Sequence, residues 1–145
     1  MRTKEFLSQL DHKRIVAAIR EAEAKTSGQI RVYLQRGELA GDPVAEAQKQ
    51  FRKLGMQATK ERNGVLIFVL PRARKFAVLG DEGVHKKCGD EFWQQLVGRM
   101  RAHFQNENFT DALVEGIEEV GKLLDRYFPK TSAPRNELPD EIVEG

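Results

Sequence analysis

Oxygen-bearing side chains on loops hold the clearest chemical potential in this sequence. Glu61 and Asn63 precede an apolar run at 65–70, Asp81 and Glu82 follow a second run at 75–79, and Asp90 lies a short way beyond. Carboxylates and an amide so placed suit a hard cation such as Ca²⁺ or Mg²⁺, which takes oxygen ligands. The same residue types serve equally as solvated loop acids and helix caps. His85 follows the acidic turn, where an imidazole could act as general acid, general base or ligand, although the sequence fixes no partner for it. Gly80 and Gly83 flank the acids and permit tight turns. The P-loop pattern, the G-x-S-x-G elbow and the H-E-x-x-H zinc pattern are absent. The lone cysteine, Cys88, excludes an intrachain disulfide and a Cys-rich zinc module, and reads as a small buried side chain.

These residues must be positioned by regular elements. Ile15, Ala18, Ile19 and Ala22 recur at helical spacing behind Asp11, a candidate N-cap, and Thr26-Ser27-Gly28 stops the pattern, which predicts a helix over 12–26. A short helix at 3–9 precedes it. Residues 29–34 alternate polar and apolar, a strand with one buried face. Asp42-Pro43 opens a helix lined by Ala47, Phe51 and Leu54 and ended by Gly55. The run at 65–70 is apolar on both faces and predicts the central strand, with a turn at 71–74 and a hairpin return at 75–79. Asp90 caps a helix carrying Phe92, Trp93, Leu96, Val97 and Met100, and a last helix starts at 108–110 with the stripe Leu113, Ile117, Val120 and Leu124.

This order predicts a three-layer α/β/α sandwich around a small mixed sheet. A right-handed crossover makes the first two strands parallel, and the hairpin makes the third antiparallel. Residues 1–129 are read as one domain and 130–145 as a polar tail from which Leu138 and Ile142 could dock. The topology gathers Glu23, Thr26, Glu61, Asn63, Asp81 and Glu82 around one rim, with Asp90 in reach.

The 145 residues suffice for a single core. Twenty-four Lys and Arg nearly cancel 22 Asp and Glu, so the formal charge of +2 makes no general case for nucleic acid. Arg72, Arg74, Lys75, Lys86 and Lys87 form the one basic concentration; without interleaved aromatics it reads as a solvated edge that discourages strand aggregation. The N-terminus carries no unbroken apolar run, and the longest apolar stretch falls far short of the ~20 residues that span a bilayer. The expectation is a soluble, cytoplasmic chain without a membrane span.

Glu23-x-x-Thr26-x-x-Gln29-Ile30, Asn63-Gly64-Val65-Leu66-Ile67-Phe68-Val69, Lys75 with Phe76-Ala77-Val78-Leu79-Gly80, and Gly83 together resemble the TPM domain, a family named for thylakoid lumen, photosystem II repair and nematode receptor-associated proteins. The likeness covers roughly 10–129. The Trp93 helix, Tyr127-Phe128-Pro129 and Asn136-Glu137-Leu138-Pro139 look like a short, soluble bacterial branch. The resemblance implies an α/β/α sandwich, divalent-metal binding at acidic loops, mainly of calcium, and the acid phosphatase activity proposed for plant members. Arg62 stands where the family often has Asp before Asn-Gly, and His85 where it has a glutamate; Asp90 retains the family's following aspartate.

The leading expectation is therefore a divalent-cation site made by Asp81, Glu82 and Asp90, with Glu61 and Asn63 in support, where the metal would relieve carboxylate repulsion. The alternatives are a metal-assisted phosphatase, in which Lys86 or Lys87 would hold the phosphate, and a metal-free domain that presents its tail or hairpin to a protein partner.

Overall fold

Two caps visible in the sequence set the first half of the fold. Asp11 accepts the Arg14 N–H at the start of α2 (His12–Glu23), and Asp42 accepts the Val44 N–H at the start of α3 (Pro43–Lys53), whose first residue is the anticipated proline. The computed structural model describes residues 3–37, 41–130 and 142–144. Within them α1 (Thr3–Ser8) leads into α2, and β1 (Gln29–Leu34) precedes α3. A 3-10 turn at Met56–Ala58, unmarked by any periodicity, then leads to β2 (Gly64–Leu70) and β3 (Lys75–Gly80). Helices α4 (Glu82–Gln105) and α5 (Phe109–Tyr127) follow, and β4 (Ile142–Glu144) comes last.

The sheet order is β3-β2-β1-β4. β1 runs parallel to β2 with Gln29 opposite Gly64 and Leu34 opposite Val69, and β2 and β3 form the antiparallel hairpin with Val65 opposite Gly80. Both relations are those the sequence predicts. β4 adds a parallel pairing along the other edge of β1, Val32 to Ile142 and Leu34 to Glu144. Three residues carry no readable alternation, so the sequence does not reveal this strand. Ile142 does reach the body; Leu138 lies outside the described residues, as do 38–40 of the loop before α3.

Helices cover both faces. Ile30, Val32 and Leu34 of β1 and Val65, Ile67 and Val69 of β2 pack against α2, α4 and α5, with Phe6 and Leu7 of α1 at the margin. Leu66, Phe68 and Leu70 face Ala47 and Phe51 of α3 together with Met56. β1 departs from its expected single buried face: Tyr33 lies under α3 and stacks on Phe68, ring centroids 5.7 Å apart. One covered face produces a polar-apolar alternation, whereas two covered faces bury both sets of side chains.

The largest difference concerns α4. It begins eight residues before the predicted cap, with Asp81 as its actual N-cap. Gly89 interrupts it at φ 73° and ψ 179°, so Asp90 opens only the second segment. The apolar periodicity starting at Phe92 belongs to that segment, while the first segment is polar except for Val84 and Cys88.

Candidate functional site

The rim forms where the first turn of α4 meets the loop before β2. The Asp81 N–H donates to the Gly64 carbonyl at 2.9 Å, continuing the hairpin, while Asp81 Oδ1 accepts the Glu82 N–H at 2.8 Å as helix cap. Gly83 lets the two segments touch. Its N–H donates to the Arg62 carbonyl at 3.0 Å, and a Cβ there would stand 2.2 Å from the Glu61 carbonyl oxygen. The backbone of Glu61 and Arg62 is thus brought against the first turn of α4.

The cation inside this cluster is Arg62. Its Nε donates to Asp81 Oδ2 at 2.8 Å and its Nη2 to Asp81 Oδ1 at 3.0 Å, a bidentate fork, and its Nη1 lies 3.5 Å from Glu82 Oε1. The Asp81 side chain is 6% exposed against 42% for Arg62, so the carboxylate is the buried member of the pair. The hydrogen bond it donates to Asp81 holds the guanidinium above its already high ordinary value, with the Asp81 and Glu82 charges adding to it against a loss from burial. Arg62 also adopts a left-handed backbone, φ 51°, which aims it back across the rim.

Glu61 and Asn63 form a separate group around Ser27. The Ser27 hydroxyl donates to Glu61 Oε2 at 3.4 Å and accepts from Asn63 Nδ2 at 3.1 Å. Asn63 is buried, and its backbone N–H donates to Thr59 Oγ1 at 3.3 Å. At the same end of β1, the buried Gln29 has a side-chain carbonyl oxygen without a hydrogen-bond partner among the described residues. Ser27 and Gln29 escape a search for carboxylates; their only signal is a pair of polar residues alternating into an apolar strand.

Asp90 belongs to a third group. His85 Nδ1 accepts from Trp93 Nε1 at 3.2 Å, and His85 Nε2 lies 3.3 Å from Asp90 Oδ1. An indole N–H can only donate, so the neutral imidazole carries its proton on Nε2, the nitrogen nearer Asp90. Lys86 and Lys87 stand exposed on this segment. Cys88 packs partly against the main core, and burial, with a smaller push from the Asp90 charge, raises its thiol above the ordinary range against a lowering backbone hydrogen bond.

Two residues expected on the rim are turned inward. Glu23 Oε2 accepts the Ile30 N–H at 2.8 Å, and Thr26 Oγ1 donates to the carbonyls of Leu124 and Phe128 while accepting the Gly28 N–H at 3.0 Å. Both satisfy buried backbone where α2, β1 and the end of α5 meet, so neither is a loop ligand. The expected ligands therefore fall into three groups: Asp81 with Glu82, Glu61 with Asn63, and Asp90. Among the described residues, no three His, Cys, Asp or Glu side chains converge in metal-ligand geometry.

A small mixed sheet between helical layers, with acidic loops at the amino ends of its parallel strands, defines an α/β sandwich of the kind the sequence resembles. A family model for the TPM domain matches residues 1–123, and the chain belongs to that family. The BA42 protein of the psychrophilic bacterium Bizionia argentinensis, solved by NMR, is 40% identical over 92% of both chains and superposes with a TM-score of 0.85. The N-terminal domain of the cg2496 protein from Corynebacterium glutamicum matches at 18% identity and TM-score 0.61 over 77% of this chain and 70% of that one. An N-terminal domain from P. gingivalis matches at 20% identity and TM-score 0.62 over 77% and 72%. These last two share the fold. A comparison with curated proteins finds no match. Among the described residues no helix is long and apolar enough to cross a membrane.

Proposed function

We propose that this chain is a divalent-cation-binding TPM domain in which Arg62 competes with the cation. The observation that carries the reading is the convergence of Asp81 and Glu82 on one internal positive group. Close carboxylates favour a cation between them, and a guanidinium meets that demand as a metal ion does. The donors are hard oxygens of the type Ca²⁺ and Mg²⁺ take. They fit an ion only once the Arg62 fork opens and releases Asp81 and Glu82, with Glu61, Asn63 and Asp90 drawn in from their own groups. The orphaned Gln29 oxygen adds an unused acceptor at this end of the sheet.

The role is binding rather than turnover. The His85 nitrogen that could accept a proton, Nδ1, already takes the Trp93 indole N–H. The test is an amide NMR titration with Ca²⁺ and Mg²⁺ on the native chain and on Arg62→Gln. We expect saturable shifts at 61–64 and 80–91 at millimolar metal in the native chain, and binding at least tenfold tighter in the variant. Unmoved loops in both proteins at that concentration sink the reading. Hydrolysis of p-nitrophenyl phosphate by the metal-loaded protein, abolished in Asp81→Ala, would replace binding with catalysis.

A further inference from the structure

The rim lies at the amino ends of β1 and β2. At the opposite, carboxyl end a groove of about 820 Å³ opens beside Val69, Leu70 and Pro71, within the size range of small-molecule sites. In open α/β sheets the carboxyl ends of parallel strands are where ligands bind. One wall is aromatic: Phe76 of β3 and Phe104 of α4 lie 4.8 Å apart between centroids, and Phe104 continues to Phe6 of α1 at 6.5 Å. Phe76 and Phe104 are only partly buried, so apolar ring surface faces the opening.

The charged groups of the lining are mainly cationic. Arg74 and Lys75 come from the hairpin and Arg101 from the last turns of α4, and all three are exposed. None of their side chains makes an ion pair or hydrogen bond among the described residues, whereas the rim's cation is locked to two carboxylates. Glu107 is the single acid in the lining, so three cations face one anion. An aromatic wall beside three cations that have no partner among the described residues complements a molecule with an acidic head and an apolar body.

We propose that this groove binds a small amphipathic carboxylate, with the carboxylate held by Arg74, Lys75 and Arg101 and the apolar body laid on Phe76 and Phe104. The inference is independent of the cation site, which occupies the other end of the sheet. It gives a purpose to the basic hairpin tip that the sequence alone marks only as a solvated edge.

Octanoate is the probe, followed by amide NMR on the full chain, with octanol and inorganic phosphate as its two halves taken separately. Octanoate should give saturable shifts at 69–76 and 101–109. The Lys75→Gln/Arg101→Gln variant, altered only at exposed positions, should bind it at least tenfold more weakly with an unchanged spectrum elsewhere. Octanol binding as well as octanoate would remove the cations from the site, and phosphate binding as well would remove the aromatic wall. Either result overturns the proposal, as does an octanoate response confined to 61–64 and 80–91 or no response at all.

Discussion

Gly83 shows how much of the rim rests on one missing methyl group. Alanine in an exposed helical position ordinarily gains about 0.5–1 kcal/mol over glycine. Here the added Cβ would lie 2.2 Å from one backbone carbonyl oxygen and 2.6 Å from the next, Glu61 and Arg62, and backbone cannot step aside as a flexible side chain can. Overpacking of this kind costs about 1–3 kcal/mol, so the clash wins. Gly83→Ala should lower the melting temperature and shift the amide resonances of 61–64; an unchanged or raised melting point would show that the loop yields freely. The sequence marks Gly83 as a turn residue, but not the packing it allows. Asp81 is legible as an acid and Arg62 as a cation out of place. Their mutual grip is not, because the eighteen residues between them must fold before the fork exists.

At the scale of an element, the kink in α4 creates a contact that a straight helix forbids. His85 and Asp90 are five residues apart, which places them about 140° apart around an unbroken helix. Gly89, at φ 73° and ψ 179°, turns the chain so that the two meet at 3.3 Å and Trp93 closes on the same imidazole. This backbone region is open essentially to glycine alone, and forcing another residue into it costs about 1–3 kcal/mol. Gly89→Ala should therefore either destabilise the protein by that amount or straighten the helix. Trp93 is the only tryptophan, so its indole N–H resonance reports which occurs. A native indole shift together with a native melting point would show that the kink is indifferent to residue 89. The sequence places this helix correctly from Asp90 onward because Leu96 and Met100 carry the buried stripe. It misses the first segment, where a polar run gives no periodicity to read.

For the whole molecule, the order of strands decides what is protected. β1 is interior only because β4 lies along it, with Ile142 contacting the α2/α4/α5 side of the core and Val143 the α3 side. Removing 131–145 would uncover both contacts and present the outer edge of β1 to solvent. Losing two partly buried aliphatic side chains should cost on the order of 5 °C in melting temperature. The bare edge should also promote self-association at high concentration, since unpaired strands template further pairing. A melt and a sizing column check both, and a truncated chain that is monomeric with native stability would make β4 dispensable. The α/β/α layering was readable because β2 is apolar on both faces and its flanking helices carry clear stripes. The fourth strand was not, since its placement comes from an edge formed more than a hundred residues earlier.

That separation also has a meaning in time. During synthesis at about 5–20 residues per second, β1 emerges on the order of ten seconds before the segment that covers it. Through that interval its outer amides and carbonyls are available to any neighbouring nascent chain, including another copy on the same message. Residues 142–144 thus act as a late seal, and conditions that stall translation before they leave the ribosome should raise misassembly.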